Sequence, residues 1–191
     1  MHDPNYVFPD SAVPGWVWRY NRSAAQRHDR FVRSTRSWFP GLRDRRGRRL
    51  LSSILLALLA AVVITSVVSF WYPVWSSVPF LVFLLTSLAA VMMLRVVTES
   101  IAGAPADTLD EIQLTQRNAA RALAYNLLLP PMLVVYAILI TLSLREQVDG
   151  TLLMSIAWLL IASVYSLSCV PDVLMSWWMQ DPEPEYPSDE N

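Results

Sequence analysis

An all-α membrane protein, an integral four-helix bundle with its N-terminus and C-terminus both cytoplasmic, is the fold class that three observations predict. The 191 residues are 54% hydrophobic with a mean hydropathy of +0.35, too apolar for an ordinary water-facing surface. Four apolar stretches, about 50–71, 78–98, 122–144 and 151–171, approach the roughly 20 residues that cross about 30 Å of hydrocarbon. Arginine is distributed unevenly around them. Eight Arg lie between Arg30 and Arg49, just before the first stretch, while Arg95, Arg117 and Arg121 flank the second connection and only Arg145 falls in an odd-numbered loop. Cytoplasmic flanks retain positive charge, so this bias places both ends inside and predicts a multi-pass protein of the plasma (inner) membrane.

Residues 1–49 form an arm with eleven Arg and four Asp, in which Arg alternates with Trp18, Tyr20, Phe31, Val32, Trp38 and Phe39. Basic and aromatic side chains beside a bilayer favour its anionic surface. The arm is therefore expected to lie on the cytoplasmic leaflet, with Arg43, Arg45, Arg46, Arg48 and Arg49 contacting lipid and anionic membrane lipids as its partner. The membrane tether makes nucleic acid the weaker partner for these arginines.

The first span carries no charge from Leu50 to Trp71 and is too long for the apolar core of a signal peptide, so it is expected to remain in the protein. Ser53, Ala57, Ala61, Thr65 and Ser69 recur every four residues along it, a stripe of small side chains that lets another helix approach closely. Internal packing is the preferred use, a partner subunit the alternative. Trp71, Tyr72 and Trp75 mark the outer boundary, and Trp177 and Trp178 follow the last span, as interfacial aromatic anchors do.

The longest connection, residues 99–121, contains a helix start. Thr108 and Glu111 have capping-box spacing, Asp107, Asp110 and Glu111 suit the positive end of a helix dipole, and Gln113, Arg117 and Arg121 share one face. A helix from about Leu109 should run directly into the third span, with Asp110, Glu111, Arg117 and Arg121 forming a cytoplasmic interaction surface. Pro130 and Pro131 remove two amide donors and free the carbonyls of Asn126 and Leu127, which predicts a kink that Asn126 helps to satisfy. Beyond the last span, residues 172–191 read as an acidic, Pro-rich cytoplasmic tail, in which Asp172 is expected to be a solvated cap.

The stretch Leu109-Asp-Glu-Ile-Gln, followed by Arg117-Asn-Ala-Ala-Arg-Ala-Leu-Ala-Tyr125, resembles a juxtamembrane motif of uncharacterised small multi-span membrane proteins, chiefly of actinobacteria. Ile112 stands where that pattern more often has a basic residue. The stretch Val170-Pro-Asp-Val-Leu-Met-Ser-Trp-Trp and its acidic sequel resemble the same group, and the two matches together cover about thirty residues. The resemblance implies a multi-span membrane protein and brings no activity with it. All fifteen cations are Arg, which fits the codon bias of a GC-rich genome.

Several chemistries are disfavoured by composition. His2 and His28 both precede the first span, leaving no imidazole pair for haem within the bundle. Cys169 stands alone, which excludes dithiol chemistry and suits a small core residue. The central part of every span lacks Asp, Glu, Lys, Arg and His, which argues against a proton-coupled pump acting alone. Asp107, Asp110 and Glu111 are accounted for by the helix start without a metal. No cofactor, metal or catalytic residue is expected. The sequence points to a non-enzymatic accessory, assembly or regulatory component of a membrane complex, with a membrane-protein partner or self-association. A self-associating transporter or channel subunit is the second reading, and a membrane enzyme of another type the third.

Overall fold

The computed structural model describes residues 15–35, 37–104, 109–145 and 147–179. These fold into six α-helices: α1 (Gly15–Thr35), α2 (Arg45–Val68), α3 (Pro73–Val97), α4 (Glu111–Ser143), α5 (Gly150–Ser168) and α6 (Val170–Trp178). Among the described residues no strand forms. Four helical segments are long and apolar enough to cross a membrane: α2, α3, α4, and α5 continued by α6. Short 3-10 turns at Pro40–Leu42 and Ile101–Gly103 precede α2 and follow α3.

Local sequence explains most of the boundaries. Pro73 opens α3, where the missing amide costs nothing. Asp149 caps α5, accepting from the Thr151 hydroxyl at 2.7 Å and the Thr151 amide at 3.0 Å; these bonds hold its carboxyl below the usual carboxylate range. Gly47 permits the Pro40–Leu42 turn to lie against the first turn of α2, because a Cβ there would sit 2.7 Å from the Leu42 Cα. The predicted start of the connecting helix moves by two residues. Asp110 is the N-cap, accepting from the Glu111 amide at 2.8 Å, and α4 begins at Glu111; Thr108 lies outside the described residues. From there one 33-residue helix, about 50 Å long, continues through Pro130 and Pro131 into the third span, as the connecting helix was expected to do.

Helix α2 is central and packs on α3, α5 and α6, whereas α4 packs on α5, α6 and the Ile101–Gly103 turn. The largest core cluster joins Leu51, Leu55 and Leu59 of α2 to Ala90, Val91, Leu94 and Val97 of α3, with Cys169 and Val173 closing it. Nearer the other end, Val62, Phe80 and Ala162 meet, and Phe80 stacks on Trp158 with centroids 5.0 Å apart. A third cluster, Val135, Leu142 and Ile156, attaches α4 to α5. Lipid is as apolar as these side chains, so such contacts hold by close packing more than by exclusion of water.

Hydroxyls inside the spans have little water to bond and turn back on their own helices. Ser66, Ser69, Ser87 and Ser176 each donate to a carbonyl three residues earlier. Hydroxyls also cross between helices: Ser155 donates to the Ser69 carbonyl at 3.0 Å, and Ser87 lies 3.2 Å from the Tyr165 hydroxyl.

Candidate functional site

Most charged side chains of the bundle's described residues collect at one end, where α2 and α4 begin and α3 and α6 finish. Arg95, in the last turn of α3, meets Asp172 in the first turn of α6 through three donor–acceptor contacts of 3.0–3.3 Å. Asp172 is only 2% exposed. This corrects its expected role as a solvated cap: the carboxylate is enclosed against an arginine and away from water. The helix extends to Trp178, so the first part of the expected tail is packed structure, and residues 180–191 lie outside the described set.

The turn after α3 is built around a second pair. Glu99 and Ser100 both have left-handed backbone, at φ 54° and 55°. The Ser100 amide bonds to the Arg95 carbonyl and the Glu99 amide to the Val96 carbonyl, which is the Schellman arrangement with Glu where glycine is usual. The left-handed conformation costs a residue with a Cβ about 1–2 kcal/mol. It places the Glu99 carboxylate 3.0 Å from Arg43, which also donates to the Thr35 carbonyl.

Arginine-to-carbonyl bonds complete this end. Arg48, 2% exposed, donates to the carbonyls of Arg43 and Met179. Arg117 is buried and donates to the Ala104 carbonyl, and Arg121 donates to Ala102 at 2.7 and 3.1 Å. The guanidinium, a planar fork of five donors, suits backbone carbonyls left open at helix ends and turns.

These contacts revise three sequence expectations. Within the arm cluster, Arg48 is enclosed and Arg43 is bound to Glu99, so these two brace the bundle; Arg45, Arg46 and Arg49 remain exposed and make no ion pair among the described residues. Within the interaction helix, Arg117 and Arg121 hold the Ile101–Ala104 turn, leaving Asp110 and Glu111 as its outward-facing members. The small stripe on α2 does not face protein along its whole length. Ser69 is buried and Ala61 and Thr65 are partly covered, but Ser53 and Ala57 are exposed. The buried face is instead Leu51, Ser52, Leu55, Leu59, Val62 and Ser66, of which Leu51, Leu55 and Leu59 join the core cluster with α3. Leu59 is 6% exposed.

The Arg95–Asp172 pair is the feature that sequence reasoning missed. Its signal was present: an unpaired Arg near the end of one span and an Asp at the same-side end of another carry opposite charges to the same depth.

Aromatic groups flank the polar end. Trp177 donates to the Ser52 hydroxyl at 2.8 Å, and the Arg49 guanidinium sits 5.5 Å above its ring. A cleft of about 770 Å³ lies between α1 and the end of α3, lined by Arg27, His28, Phe31, Trp38, Met92 and Arg95 among others. At the opposite end Trp71, Tyr72 and Trp75 are exposed. Among the described residues no three His, Cys, Asp or Glu side chains converge. No family model, curated protein or solved structure matches the chain.

Proposed function

We propose that the protein is a non-enzymatic assembly or accessory component of a plasma-membrane complex, with its polar end in the cytoplasm and α4 as the span offered to a partner. The exposure of α4 carries this reading. Only 11% of its apolar span window is buried within the chain, against 39% for α3. Large apolar side chains, among them Leu133, Val134 and Tyr136, project from it uncovered. Asn126 is exposed on the same helix, one turn before the two prolines that free backbone carbonyls. An amide in hydrocarbon gains from a partner on another helix by about 1 kcal/mol.

The orientation is supported by the gathering of α2, α3, α4 and α6 termini at one arginine-rich end, consistent with fourteen of fifteen Arg on a single side. The experiment places a photo-crosslinking residue at Leu133 or Val134 in intact cells, with Val82 on α3 for comparison. A discrete protein adduct from α4 and none from Val82 is the expected result. Lipid adducts alone at all three positions would remove the basis for an assembly role. Reporter fusions at Ser76 and after Asn191 test the orientation, and should report exterior and cytoplasm respectively.

A further inference from the structure

Beside α6 the bundle surface carries an apolar groove of about 380 Å³, lined by Leu56 and Leu59 of α2 and Val170, Leu174, Trp177 and Trp178 of α6. At its mouth, Arg49 lies over the Trp177 ring. Arg49 also lines a second, polar cleft of about 530 Å³ together with Asp44, Arg45 and Arg46. The groove and the cleft therefore adjoin at the Arg49–Trp177 pair. Three arginines and one aspartate give the cleft a formal charge of 3 − 1 = +2.

Helical spacing explains why the two lie in line. Arg45, Arg49, Ser52, Leu56 and Leu59 follow steps of four, three, four and three, which keeps them on one face of α2. Ten residues separate Arg49 from Leu59, about 15 Å along the axis and half of the roughly 30 Å hydrocarbon thickness. A molecule seated here would have an anionic group at the arginines and an apolar chain one leaflet deep.

We infer that this composite site holds one anionic phospholipid, its phosphate on Arg45, Arg46 and Arg49 and one acyl chain in the groove between α2 and α6. The guanidinium suits phosphate through paired N–H donors, and the tryptophans sit where a glycerol backbone crosses from polar to apolar. The seat is distinct from general attraction of the arm to a charged leaflet, because it requires both the charge and the groove. It does not depend on the assembly role of α4, which contributes no residue to the groove or the cleft.

Full-length protein, delipidated in a neutral detergent, is titrated with dioleoyl phosphatidylglycerol, dioleoyl phosphatidylcholine or inorganic phosphate. Native mass spectrometry counts the retained molecules. One phosphatidylglycerol should be retained at concentrations where phosphatidylcholine is not. Combined Arg45→Gln, Arg46→Gln and Arg49→Gln should weaken that retention by about tenfold or more. Val170→Trp, which fills the groove and leaves the charge intact, should weaken it as well. The thermal midpoint of each lipid-free variant verifies folding, and the arginine variant keeps the test decisive if Val170→Trp does not fold. Combined Arg22→Gln, Arg30→Gln and Arg33→Gln on exposed α1 positions should leave retention unchanged. The inference is overturned by equal retention of phosphatidylcholine, by an equal loss in the α1 variant, or by phosphate alone binding as tightly as the lipid.

Discussion

Removing Arg95 is expected to destabilise the protein more than removing Asp172, although either change breaks the same ion pair. The side chains are 41% and 3% exposed respectively, with 3.0 Å between Nη2 and Oδ2. At an effective dielectric of about 20, unit charges at that distance attract by about 5–6 kcal/mol. Desolvation of the buried carboxylate and solvent screening of the half-exposed guanidinium offset much of this. Arg95→Leu leaves a carboxylate enclosed without its counterion, and about 3 kcal/mol is expected, the lower end for a broken buried pair because Arg95 itself is screened. Asp172→Leu leaves a guanidinium that can turn to water, for about 1–2 kcal/mol. The double variant replaces both charges with apolar groups and should be nearly as stable as the parent, within about 1 kcal/mol. Thermal and denaturant unfolding in one detergent would give the four corners of the cycle. If Asp172→Leu costs as much as Arg95→Leu, or if the two single losses simply add in the double variant, the asymmetric buried pair is not what joins α3 to α6.

Three further outcomes follow from the packing. Leu59→Ala should cost about 2–5 kcal/mol in the same unfolding assay, because Leu59 is core, whereas Ala57→Phe should leave the isolated chain unchanged within about 0.5 kcal/mol. A larger loss at Ala57 would show that α2 packs differently from the arrangement described. Gly47→Ala should destabilise despite alanine's better helix propensity, since its Cβ would meet Leu42 backbone at 2.7–2.9 Å; a stabilised variant would show that the Pro40–Leu42 turn yields freely. Glu99→Gly should be at least as stable as the parent, trading a partly exposed ion pair for relief of left-handed strain, while Glu99→Ala loses the pair and keeps the strain. A parent-like Glu99→Ala would refute the coupling between Arg43 and that turn.

Segments were legible in the sequence because hydrocarbon imposes a simple rule, about twenty apolar residues with every backbone group bonded within the helix. The four spans, the continuity of the connecting helix with the third of them and the core position of Cys169 therefore follow from local composition. Helix ends were less legible. Proline and aspartate place the starts of α3 and α5, but Asp44 makes no cap bond at the start of α2, where Gly47 lets the preceding turn pack closely.

What the sequence by itself determined is that the chain makes apolar helices of membrane length with their arginines gathered at one end. Only the tertiary structure decided which arginines face outward. Arg43, Arg48, Arg95, Arg117 and Arg121 were indistinguishable by composition from Arg45, Arg46 and Arg49. The first group bonds to carboxylates or carbonyls contributed by residues distant in sequence, including Glu99, Met179 and Asp172. The same holds for the small stripe of α2, whose spacing is right for a helix contact while leucines one or two positions away make it. Periodicity assigns residues to a face, but which face is buried depends on the neighbours that pack against it, and those are set by the fold as a whole.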